Sequence, residues 1–140
     1  MFLTSLDFVS DSPNTMLSLY FSVFITELNS KLGETSYEII RGGSLAIRNQ
    51  RVIKKLDTIN IQAGFKTTGG GANTLYNGGT IPREIYPYTD TPFIVLVTDG
   101  GWALKGLGTI IFRTSGAIQY QVDFAFTSDM YLWLNASYKV

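Results

Sequence analysis

The stretch TIIFRTSGAIQYQVDFAF, Thr109–Phe126, decides the fold class. In its second half Ile118, Tyr120, Val122, Phe124 and Phe126 alternate with Gln119, Gln121, Asp123 and Ala125. Successive side chains of a strand point to opposite faces, so this period of two describes one buried face and one wet face. The turn residues Thr114, Ser115 and Gly116 sit between this run and TIIFR, which makes the whole stretch a β-hairpin.

Working outward, TINIQAGFK (Thr58–Lys66) alternates in the same way, with Ile59, Ile61, Ala63 and Phe65 on one side. TSYEII from Thr35 is short and β-branched, and MYLWLNASYKV from Met130 supplies a last strand. PFIVLV (Pro92–Val97) is continuously apolar, which predicts a central strand covered on both faces. Asp99 and Gly100 then make a turn. SLAIRNQRVIKKL (Ser44–Leu56) reads as a hairpin turning at Asn49 and Gln50, with a short basic helix as the other reading.

One segment has a different period. In SDSPNTMLSLYFSVFITELNSKLGE, from Ser10, the apolar residues Leu17, Phe21, Phe24, Leu28 and Leu32 recur on one helical face, widened by Tyr20 and Ile25. Ser10, Asp11 and Ser12 are candidate N-caps, Pro13 suits the first turn, and Gly33 is a natural stop. The expectation is an α+β fold: a single domain over residues 1–140, with an antiparallel sheet of about five to seven strands and the amphipathic helix packed on one face. Leu17, Phe21, Phe24 and Leu28 are expected to bury against Ile118, Tyr120, Val122, Phe124 and Phe126.

Composition narrows the chemistry. The chain of 140 residues has no cysteine and no histidine, so disulfides, thiolate catalysis, Cys/His zinc sites and a Ser-His-Asp triad are excluded. Charged residues make up 16%, against a usual share of about 25%, so part of the surface is neutral polar or buried against a partner. Net charge is zero, which gives no basis for electrostatic capture of nucleic acid or of an anionic membrane. The apolar run Met16–Leu28 is shorter than the roughly 20 residues a bilayer needs. Asp7 and Asp11 precede it where a secretory signal carries positive charge.

The Gly/Pro-rich stretch Phe65–Pro92 lacks the lysine of a phosphate loop after either glycine cluster, and its prolines oppose a helix. Its Tyr76, Ile81, Ile85, Tyr86 and Tyr88 oppose disorder. It reads as an extended arm or long loop that orders against a neighbouring subunit. Tyr76, Ile81, Tyr86, Tyr88 and Trp102 are the interaction candidates. Asp99 reads as a turn residue. Asp57, Gln62 and Lys66 only loosely match a metal-nuclease pattern, because Gln62 stands where a carboxylate is needed. Arg48, Arg51, Lys54 and Lys55 form a basic cluster in a neutral protein and read as solvated surface. No catalytic residue, metal ligand or cofactor site is assigned.

In layout, LYFSVFITELNSKLG, YPYTDTPFIVLVTDGG and AIQYQVDFAFTSDMYLWLNASYKV resemble the small tail-terminator and head–tail joining (neck) proteins of tailed bacteriophages. The resemblance implies a non-enzymatic α+β subunit of a virion, assembled in the host cytoplasm. It also implies ring-forming homo-oligomers that contact other virion structural proteins through sheet edges and arms, with no specific nucleic acid and no membrane. Two alternatives come from other classes: a carboxylate-dependent metal nuclease, and a carbohydrate- or protein-binding module using Trp102, Trp133 and the tyrosines.

Overall fold

The computed structural model describes residues 13–31 and 33–140, and within the helix the side chains of residues 16–25. The chain divides into two compact units, Met1–Gly33 and Glu34–Val140. In the first, α1 runs Pro13–Lys31. The second is an all-antiparallel sheet with β1 (Thr35–Tyr37), β2 (Ala46–Lys55), β3 (Thr58–Lys66), β4 (Tyr76–Thr80), β5 (Thr91–Thr98), β6 (Leu104–Phe112), β7 (Ala117–Val122) and β8 (Tyr131–Lys139). Their spatial order is β1-β2-β3-β8-β5-β6-β7-β4.

This corrects the expected α+β fold. The described residues are mostly β, with eight strands in one curled sheet instead of five to seven. Of the helix residues expected in the core, Leu17, Phe21 and Phe24 are exposed, while Leu28 lies outside the described side chains. The apolar face of the hairpin has another partner, the rest of the same sheet. Ile118, Tyr120 and Val122 join Ile59, Ile61, Phe65, Ile110, Phe112 and Leu132 in one core. A sheet that curls far enough packs its concave face on itself, and no second layer is then required. Phe124 falls beyond the end of β7 and is half-buried, its ring lying over Gly106.

The stretch Phe65–Pro92 is part of this domain and does not project as an arm. β3 continues to Lys66, and the connection after it is tied to the β7–β8 connection step by step. Thr67 donates to the Met130 carbonyl at 3.0 Å, Gly70 and Phe126 exchange two bonds of 2.9 Å, and Asn73 donates to Val122 at 2.8 Å. β4 follows, then a 3₁₀ turn at Arg83–Ile85 with Ile85 buried. The glycines serve close approach here. Ile40 and Thr80 exchange hydrogen bonds of 2.8 and 2.9 Å, and a Cβ on Gly79 would stand 2.7 Å from the Ile40 carbonyl oxygen. Through that contact the chain between β1 and β2 covers the free edge of β4, as natural sheets commonly cover theirs.

Two further expectations are corrected. β2 is one strand with a bulge between Ile47 and Asn49, and its hairpin turns at Leu56 and Asp57, beyond Asn49–Gln50. β5 is central, flanked by β8 and β6, but only one of its faces is covered. Val95 and Val97 are buried, whereas Ile94 is 78% and Leu96 51% exposed.

Candidate functional site

The uncovered face of β5 continues onto its neighbours. Leu96 pairs with Trp133 of β8 on one side and with Leu107 of β6 on the other, and cross-strand partners share a face. Trp133 pairs in turn with Gly64 of β3. Its indole spans the sheet. Nε1 donates to the Thr98 hydroxyl on β5 at 2.8 Å. At the other end Cζ3 lies over Gly64, where an added Cβ would come within 2.4 Å. Glycine at position 64 is therefore the seat of the tryptophan.

A second indole is stacked on the first. Trp102 and Trp133 have ring centroids 4.4 Å apart and planes 17° apart. Tyr131, two residues before Trp133 on the same face, extends the stack at 6.0 Å and 24°. The Arg48 guanidinium lies 4.9 Å from the centre of the Tyr131 ring, a cation–π contact that closes the row.

Trp102 is held in place by the β5–β6 turn. The Asp99 carboxylate accepts from the Gly101 amide at 2.8 Å and the Ala103 amide at 3.0 Å, with Lys105 at 3.5 Å. The Ala103 and Gly101 amides, with Lys105 beside them, hold the Asp99 carboxyl below its ordinary range. Trp102 itself has φ +70°. This left-handed conformation costs a residue with a Cβ roughly 1–2 kcal/mol. The turn thus accepts local strain at the residue that delivers an indole to the outer face, a combination associated with functional surfaces. Trp102 is 64% exposed, so the outer side of the stack remains open to solvent.

Beside the stack lies an open depression of about 590 Å³ with Trp133 and Leu96 in its wall and Asn49, Arg51, Gln62 and Asn135 at its margin. A smaller hollow of about 260 Å³ shares Arg51, Gln62 and Asn135 and adds Glu34 and Asn60. The outer face of β2, β3, β8 and β5 therefore combines flat apolar rings and aliphatic side chains with exposed amides and the guanidiniums of Arg48 and Arg51. Such a surface offers flat rings for stacking and amides that both donate and accept hydrogen bonds. Among the described residues no group of three or more Asp or Glu side chains is placed to hold a metal ion. Asp57 is engaged by Lys139 at 3.0 Å, in the turn before β3, while Gln62 lies in the middle of that strand.

Of the five interaction candidates, Trp102 lies in this patch. Tyr88 is 80% exposed on the approach to β5. Tyr76 is half-buried against Tyr120 and Phe126 at 5.7 and 5.9 Å, and its hydroxyl accepts from the Gly71 amide at 2.8 Å. Ile81 is buried, and Tyr86 lies over Gly116. The basic cluster is divided by the strand: Arg48 meets Tyr131, while Arg51 borders the depression. Sequence reasoning missed Ile94, Leu96, Gln62 and Asn135 as surface partners. The apolar run Phe93–Val97 marked the right strand, but an uninterrupted run does not reveal which face is uncovered.

Fold and face together define a class, a curled antiparallel β domain with an exposed aromatic face. The crystal structure of the head domain of phage bIL170, described with the receptor binding domains of lactococcal phages, has this fold. It superimposes with a TM-score of 0.63 at 12% sequence identity, covering 77% of this chain and 99% of that one. No protein-family model and no curated protein matches the chain.

Proposed function

We propose that this chain is a non-enzymatic recognition component of a tailed-phage particle whose β domain binds a bacterial surface saccharide through the outer face of β2, β3, β8 and β5. The observation that carries the reading is the Trp102–Trp133 stack beside an open, amide-lined depression. Sugar rings present flat C–H faces that lie on indoles, and their hydroxyls are met by neutral amides such as Gln62, Asn135 and Asn49. A fold shared with a phage receptor-binding head domain supports placing this surface at the virion–host contact.

The neck-ring role has less support, because it relies on an extended arm and open sheet edges. Residues 65–92 are folded into the domain, and β4's edge is covered by the chain around Ile40. No cofactor enters the reading, and the partners are other virion proteins and the cell surface.

The test is titration of the purified chain with a panel of bacterial surface polysaccharides, followed by tryptophan emission, alongside adsorption of the chain to whole cells. A saturable emission change is expected with at least one saccharide. Gln62→Ala combined with Asn135→Ala, which leaves both indoles in place, should abolish it. No saturable change with any saccharide, together with equal cell adsorption by parent and variant, would remove this face from consideration.

A further inference from the structure

The depression beside Trp133 lies where two strands of the sheet part. β5 and β6 pair from Thr91 to Thr98, and β3 and β8 pair from Thr58 to Lys66. β5 and β8 pair only at Leu96–Trp133, Val97–Leu132 and Thr98–Tyr131. Continuing that register, the next bonded rung would join Ile94 to Asn135. It is not formed, and both residues line the depression. The rung after it would fall on Pro92, which has no N–H to give.

The ladders fix where the main-chain groups of that missing rung point. In antiparallel pairing a residue turns both its N–H and its C=O to one neighbouring strand, and the next residue turns both to the other. The Val140 amide donates to the Asp57 carbonyl at 2.9 Å and the Thr67 amide to the Met130 carbonyl at 3.0 Å. These bonds flank the β3–β8 ladder, so even-numbered residues of β8 face β3, and Trp133 and Asn135 face β5. At the end of β5 the Asp99 amide donates to the Ala103 carbonyl before β6 at 3.0 Å, so odd-numbered residues face β6 and Ile94 faces β8. The N–H and C=O of Ile94 and of Asn135 thus meet across the depression without bonding each other. Buried Val95 and Leu134 also line it, which gives the gap an apolar floor.

A group entering this gap meets donors and acceptors together. An anion only accepts, and it would face two carbonyl oxygens. A cation only donates, and it would face two N–H groups. A hydroxyl does both. Resting on the saccharide reading above, we infer that the ligand inserts an uncharged sugar residue with free hydroxyls into the missing rung between Ile94 and Asn135. The main chain of β5 and β8 reads the hydroxyls, Trp133 meets the flat face of the ring, and Arg51 at the margin is secondary. The volume of about 590 Å³ suits a ligand of this size.

Titration followed by tryptophan emission tests it, using the polysaccharide that binds the parent chain. Ile94→Pro removes the N–H that faces the gap and breaks no ladder bond. It should bind about tenfold more weakly than Ile94→Ala, which alters the side chain alone. Arg51→Gln should weaken binding less than Ile94→Pro does. Amide hydrogen exchange of the parent covers a variant that fails to fold. Without saccharide, the Ile94 and Asn135 amides should exchange faster than the laddered amides of Leu96 and Leu134. With saccharide bound, both should slow. Four results would overturn the inference and leave the saccharide reading in place: slow exchange at both amides without saccharide, saturable binding that leaves both fast, equal binding by Ile94→Pro and Ile94→Ala, or a larger loss from Arg51→Gln. No saturable binding by any polysaccharide would remove that reading and this inference with it.

Discussion

The two faces of β5 carry the same kind of residue and meet opposite fates. Val95 and Val97 are 1% and 0% exposed, while Ile94 and Leu96, alternating with them, stand at 78% and 51%. The inner face is covered because the sheet curls onto itself and brings Ile59, Ile110, Phe112 and Tyr120 together. Within Glu34–Val140 the outer face has no covering layer, and there the aliphatic side chains continue into the Trp102–Trp133–Tyr131 row. One apolar run thus contributes half to the core and half to an exposed apolar face. Hydrophobicity alone does not separate the two, because burial depends on what another part of the chain brings opposite.

The largest effect should come from the inner face. Phe112 is fully buried and makes edge contacts with Phe93 and Tyr138 at 5.7 and 5.6 Å. Phe112→Ala should cost about 3–5 kcal/mol in urea unfolding. A loss below about 1 kcal/mol would mean that the inner face is not the core. Next comes the junction of the two faces. Gly64→Ala places a methyl against Trp133 and the Asn49 side chain, with contacts of 2.4 and 2.8 Å that cannot persist. Overpacking of this kind costs roughly 1–3 kcal/mol. The displaced indole should also lose the exciton couplet that two stacked tryptophans give in circular dichroism. Retention of the couplet would show that Trp133 is not seated on Gly64.

A smaller effect is expected at the turn. Asp99→Ala removes the acceptor for two amides and should weaken the couplet, whereas Asp99→Asn keeps an oxygen in place and should preserve most of it. The depressed pKa sets the pH direction. A carboxyl lowered in the folded state from its ordinary 3.8 contributes fully above that value, and its contribution is lost as pH falls through the lower folded value. The couplet should accordingly survive to below the ordinary carboxylate range in the parent and show no such acid step in Asp99→Asn. An acid transition of equal size in both would assign the effect to another group. The smallest effect on stability belongs to the outer face: Ile94→Ser should change unfolding by no more than about 0.5 kcal/mol. A change comparable to that of Phe112→Ala would show that this face is covered after all.

Much of the strand pattern was legible. The alternation at Ile59, Ile61, Ala63 and Phe65, and again at Ile118, Tyr120 and Val122, names the buried residues of β3 and β7 correctly. Phe124 departs from it because β7 ends at Val122 and the chain turns away. The Gly/Pro stretch was misleading because its ordering partners are distant in sequence: Thr67 is tied to Met130 and Gly70 to Phe126. At the candidate site, Trp102 was legible only as an interaction candidate following the Asp99–Gly100 turn. Its stacking on Trp133 depends on the placement of β8 between β3 and β5.

By itself the sequence determined the local periods, a helix at Pro13–Lys31 and strands along most of the remainder, because period is a property of neighbouring residues. It also excluded cysteine and histidine chemistry outright. Only the tertiary structure decided which apolar faces are covered, because cover is supplied by residues far along the chain. Closure of the sheet on itself satisfied the inner faces of β3, β5, β6, β7 and β8 with residues of the sheet's own unit. That left the outer face of β5 and β8 without cover from the sheet itself.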